Sequence, residues 1–273
     1  MENSDTQLEK SRTVLYLTVT IVIIMMICSS IGIWQENFYF REMPEWLTQC
    51  VGQDISNLFF IAPVLLISAF YANTGNRMAK IIWIGVMIAN IYSYVLYCFA
   101  VHFNYMHLIY CFILGLSNFS AIYFFFHYLK EDFKAWFTDE VPTKLIGIFL
   151  ILLAVLFGFL WLSEDLPAVF KNSVPESIIK NGLITNPVHV LDYTLYLPMM
   201  FIAGVMLIKK KSIAYLLAPM MLVFAIIINI NIVSLMIVAQ YKNISSDTSL
   251  IFSFVVFTMI CVGFLWLMIK RLK

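Results

Sequence analysis

Eight stretches of about twenty apolar residues dominate this chain and leave it few folds. They run over residues 13–34, 51–72, 79–101, 105–127, 143–163, 190–208, 212–240 and 249–269. A hydrocarbon core about 30 Å thick takes about 20 helical residues to cross, so each stretch reads as a membrane-spanning helix. Barrel strands would be half as long and would alternate in polarity, and these stretches do neither. The other escape would be burial in a soluble core. Hydrophobic residues make up 62% of the 273 and charged residues only 12%, against about 45–50% and about 25% in soluble domains. A chain of this size has too little interior to hide the excess. Lipid must be the solvent for much of its surface.

The expected fold is therefore all-α: a polytopic transmembrane bundle of eight helices, forming one integral membrane domain over 1–273. The first stretch exceeds a signal-peptide h-region, and no small-residue cleavage site follows Trp34, so it is expected to be retained. Orientation follows from the basic residues. With the N-terminus inside, one face carries Lys10, Arg12, Arg77, Lys80, Lys130, Lys134, Lys144, Lys209, Lys210, Lys211, Lys270, Arg271 and Lys273. The other carries Arg41, Lys171, Lys180 and Lys242. Thirteen against four places both termini in the cytoplasm and the protein in a cytoplasmic membrane. Net charge +1 and the lack of a basic stripe argue against nucleic acid as a partner.

The connections divide by face. On the outer face, residues 35–50 hold Glu36, Glu42, Glu45 and four aromatics and read as a loop against the membrane interface. Residues 164–189, with Pro167, Pro175 and Pro187, read as an irregular lid containing one short helix near 175–182. The cytoplasmic segment 128–143 reads as a solvated connector. Nothing resembles a soluble domain. A four-plus-four parallel duplication, residues 1–130 and 140–273, is suggested by Asp54 with Pro63 in one half and Asp192 with Pro198 in the other.

Polar residues inside spans are costly, so their placement is the best functional clue. Gln53, Asp54 and Asn57 share a face of the second helix by their i, i+3, i+4 spacing. His189, Asp192 and Tyr196 do the same on the sixth, Asn90, Tyr94 and Tyr97 on the third, and His107, Tyr110 and Asn118 on the fourth. If these faces converge they make an outward polar pocket, with Gln53, Asp54, Asn57, Tyr97, Asn104, His107, His189 and Asp192 as candidate ligand-binding residues. In its sharpest form Asp54 and Asp192 face each other across that pocket, with His107 or His189 beside them. The plain alternative is that each Asp caps its own helix, worth about 0.5–2 kcal/mol, and that the asparagines only bond helix to helix. The histidine and carboxylate spacing lacks HExxH and any Glu within a span, so no metal site is assigned and no cofactor is identified. The five cysteines contain no CxxC. Cys98, Cys111 and His107 lie at similar depth, and no nucleophile elbow surrounds Ser56.

Gly52-Gln53-Asp54, the run Tyr97 to Asn104, Val190-Leu191-Asp192 followed by Pro198, and the Lys209-Lys210-Lys211 turn together resemble an uncharacterised family of prokaryotic multi-pass membrane proteins. The resemblance spans about residues 50–225. It implies a prokaryotic membrane and marks Gln53, Asp54, Asn104 and Asp192 as typical positions, without an activity. Three function classes stay open on these residues: binding or transport of a small ligand or ion, an intramembrane enzyme at the outer leaflet, and an assembly partner for another membrane protein.

Overall fold

The computed structural model describes residues 2–128, 130–244 and 247–273, with side chains from residue 12 onward. Lys10, counted above with one face, lies outside the described side chains. The helices are α1 (Glu2–Trp34), α2 (Pro44–Asn73), α3 (Arg77–Phe99), α4 (His107–Tyr128), α5 (Thr143–Lys171), the short α6 (Glu176–Asn181), α7 (Pro187–Ile208), α8 (Ala214–Tyr241) and α9 (Thr248–Ile269). All but α6 are long and apolar enough to cross a membrane. The protein is an all-α, multi-pass bundle whose solvent is a lipid bilayer. Among the described residues the one strand-type pairing is an isolated bridge between Phe137 and Leu272.

Two elements are longer than the apolar pattern shows, and for the same reason. Helix α2 begins at Pro44 rather than near 51. Its first turns are polar because they face protein and cavity, not lipid. Helix α5 continues through Glu164 and Asp165 to Lys171, past the point where acidic residues suggested a loop. The lid therefore shrinks to the segment between Asn172 and Asn186, with α6 inside it. The segment before α2 is not simply laid on the interface: Phe38 and Tyr39 are buried in the bundle, while Phe40 stays exposed.

Helices α3 and α8 pack against each other at the centre, and α2 and α7 flank them. Helix α1 covers α2 and α4, α5 covers α7, and α9 leans on α8 with most of its surface toward lipid. Close approach rests on small residues, as expected where lipid removes any hydrophobic drive between helices. A Cβ on Gly85 of α3 would sit 2.5 Å from Val223 Cβ of α8, and one on Gly52 would sit 2.5 Å from Leu235 Cα. Gly147 of α5 and Gly204 of α7 are reciprocal: each would place a Cβ 2.6 Å from the other's carbonyl oxygen.

Both α2 and α7 contain one π-helical turn, Asn57–Ile61 and Asp192–Tyr196. Each is followed at the same distance by a proline, Pro63 and Pro198. Proline lacks an N–H and crowds the preceding turn, and the wider π turn relieves both demands. The offsets 192 − 57 and 198 − 63 are both 135, and the ends of the two helices, Asn73 and Ile208, keep the same spacing.

The face bearing the lysine turn is tied together. Ser212 Oγ donates to Asp132 Oδ1 at 2.5 Å, Thr138 N to Arg271 O at 2.8 Å and Lys273 N to Trp136 O at 2.9 Å. Arg271 also pairs with Glu140. The 128–143 segment is thus more than the solvated connector expected from its charges, since Phe133, Trp136, Phe137 and Val141 are buried and plug that end.

Candidate functional site

At the opposite end from the lysine turn the helices splay around a cavity of about 830 Å³. It lies among α2, α3, α5, α6, α7, α8 and α9. Leu153, Met200 and Phe224 are its deepest lining residues on α5, α7 and α8, and its walls are chiefly apolar. Below them α5 and α7 close at Gly147 and Gly204. At the mouth stand Glu45, Glu164, Glu176, Lys180 and Asp247. Lys180 pairs with Glu176 at 2.7 Å, and Ser177 donates to Glu164.

One wall is a polar cluster that α5 and α7 build together. Asn186 caps α7 by accepting from Val188 N and His189 N, which turns His189 inward. His189 is 4% exposed, stacks on Trp161 with ring centroids 4.4 Å apart, and has Nδ1 2.9 Å from Asp165 Oδ2. Tyr193 donates to the same oxygen at 3.0 Å. Trp161 Nε1 donates to Asp192 Oδ2 at 2.8 Å. His189, Trp161, Tyr92 and Asp192 all line the cavity.

The facing wall belongs to α8 and α2. Asn229 and Asn231 line the cavity and are 3% and 4% exposed. Asn231 Oδ1 accepts from Ser56, but Nδ2 of Asn229 and Nδ2 of Asn231 have no hydrogen-bond partner among the described residues. Buried polar groups are nearly always paired, so unpartnered donors on residues that line one cavity, these two and Trp46 Nε1, are unusual.

Asp54 is elsewhere. It is 2% exposed and does not line the cavity. Tyr39 donates to its Oδ2 at 2.6 Å and Tyr97 to its Oδ1 at 2.7 Å. Burial, and after it the Asp54 carboxylate, raise the Tyr39 phenol well above the usual 10.0, so it stays a donor. A chain of bonds links this carboxylate to the cavity: Gln53 Nε2 donates to Asn57 Oδ1 at 2.8 Å, and Asn57 Nδ2 to Tyr97 Oη at 3.3 Å. Gln53 is the member that reaches the cavity.

The sequence candidates thus fall into three groups. Gln53, Asp54, Asn57 and Tyr97 form one hydrogen-bonded chain, and His189 and Asp192 belong to the α5–α7 cluster. Asn104 and His107 stay apart from both. Asn104 holds the turn before α4, its Oδ1 accepting from Met106 N at 2.9 Å. His107 lies against Phe103 with ring centroids 4.9 Å apart and has Nε2 3.7 Å from Cys111 Sγ. The expected confrontation of Asp54 and Asp192 across one cavity is not what the structure shows, because Tyr39 and Tyr97 seal Asp54 inside the bundle. Simple capping fails as well. Asp54 lies deep in α2, whose N-cap is Met43, and α7 is capped by Asn186.

Sequence reasoning missed Tyr39, Tyr92, Trp161 and Asp165. Trp161 and Asp165 are four residues apart and so share a helix face, a signal hidden by reading the acidic end of α5 as a loop. Among the described residues no three His, Cys, Asp or Glu side chains group closely enough to hold a metal ion. No family model, curated protein or solved structure matches the chain.

Proposed function

We propose that this is a ligand-binding protein of a prokaryotic cytoplasmic membrane, with both termini in the cytoplasm, that holds a small amphipathic molecule in its outward cavity. The single observation that carries this reading is the cavity itself: about 830 Å³ of mainly apolar wall with a few convergent polar groups. Small-molecule sites have this make-up. Binding is favoured over conduction because the lining ends at Leu153, Met200 and Phe224, about midway along the spans, and the lysine-bearing half is packed. The thirteen-to-four division of basic residues supports the orientation, and the prokaryotic setting rests on the family resemblance.

The test is native mass spectrometry of the protein released from lipid nanodiscs, beside a Leu153→Trp variant that fills the cavity floor. The wild type should carry a bound amphiphile that the variant has lost. Equal retention by both, or none by either, would remove the reading.

A further inference from the structure

The two unpartnered amide donors and the acidic mouth act on the same ligand, and together they narrow its chemistry. We infer that the occupant is an electrically neutral amphiphile whose uncharged oxygens, of hydroxyl or of ester or amide carbonyl type, supply the acceptors that Asn229 and Asn231 lack. This rests on the binding reading above and adds the class of ligand to it.

The donors come first. Asn229 Nδ2 and Asn231 Nδ2 are buried and unpartnered, and a buried N–H without an acceptor is disfavoured until a ligand supplies one. Neighbouring protein groups do not fill that role. Asn231 spends its oxygen on Ser56, and Asp192 is already engaged by Trp161. The polar end of the ligand must therefore bring an acceptor.

Charge then decides which acceptor. The lining includes Glu45, Glu164, Glu176, Asp192 and Asp247 against two basic side chains, Lys180 and His189, which already pair with Glu176 and Asp165. A carboxylate or phosphate head would satisfy the amides but would sit in a low-dielectric cavity among like charges, where repulsion is strong. A cationic head would suit the mouth but brings no acceptor for the amides. A neutral oxygen meets both conditions, and the apolar walls take the chain.

Three twelve-carbon probes brominated at the chain end separate these cases: the alcohol, the carboxylate and the primary ammonium. The protein is placed in nanodiscs at about pH 9, where the acid is ionised and the amine protonated. Trp34 and Trp266, 65% and 60% exposed, are first changed to Phe. The bromine then reports on Trp46 and Trp161, which line the cavity. The bromo-alcohol should quench saturably, with half-saturation about tenfold below that of either charged probe, and Asn229→Leu/Asn231→Leu should erase that advantage. Preference for the carboxylate or the ammonium, or unchanged alcohol binding in the double variant, would overturn the inference while leaving the cavity a binding site. Lack of saturable quenching by all three would overturn the binding reading too. The ranking needs no variant at Asn229 or Asn231, so poor folding of the double variant does not protect the inference.

Discussion

Gly32 is the residue that lets Asp54 be buried. A Cβ at that position would lie 1.9 Å from Asp54 Oδ2 and 2.9 Å from the Tyr39 hydroxyl, so only glycine leaves room for the bond that ties the 35–43 segment to α2. A carboxylate inside a bundle is tolerated only when its oxygens are served, and Tyr39 and Tyr97 serve one each. Gly32→Ala and Tyr39→Phe should therefore each destabilise the protein by about 1–3 kcal/mol, the range for a bond to a buried charged group. Because both act through the same contact, the double variant should unfold close to the worse single one, as read from thermal or denaturant unfolding in nanodiscs. Fully additive losses would mean that Gly32 does not act through the Tyr39–Asp54 bond. The Gln53, Asp54 and Asn57 face was legible from spacing alone, since a helix repeats every 3.6 residues. Tyr39 was not, because a loop residue has no periodicity to announce where its side chain points.

At the level of helices, the spans could be read because lipid demands long apolar runs, and that demand is local in sequence. Which helices touch is not local, and the glycines carry that information only after the fold is known. Gly85 and Gly52 meet Val223 and Leu235 at distances that a methyl group could not share, whereas Gly115 and Gly263 face open space. Gly85→Ala and Gly52→Ala should cost about 1–3 kcal/mol through overpacking. Gly115→Ala and Gly263→Ala should be neutral or stabilise by up to about 1 kcal/mol, the helix propensity of alanine over glycine. Unfolding midpoints of the four variants check this. Equal destabilisation at all four sites would show that backbone effects, rather than helix contact, dominate. The polar start of α2 and the polar end of α5 escaped a reading based on hydropathy for a related reason: Glu45, Gln49, Gln53 and Glu164 face the cavity, not lipid.

For the whole molecule, the matched π turns and prolines keep the spacing that a parallel duplication of residues 1–130 and 140–273 would give, and α3 and α8 would then meet between the halves. A profile of related sequences that aligned Pro63 with a position other than Pro198 would end that reading. The register also explains why the two Asp residues do not play the same part. With an offset of 135, Asp54 corresponds to His189 and Asn57 to Asp192, so the places that a duplication would make equivalent hold different chemistry. Of the two Asp residues, only Asp192 lines the cavity. The proposed function further requires that the cavity end face outward, and charge on the two faces makes that testable. A periplasm-active reporter fused after Lys211 should be silent, because that turn lies among the thirteen basic residues that resist translocation. The same reporter fused after Asn181, at the cavity mouth, should be active. Activity after Lys211 would invert the bundle and turn the cavity toward the cytoplasm. The lipid-facing surfaces would stay as they are, but every argument that draws the ligand from outside would fall.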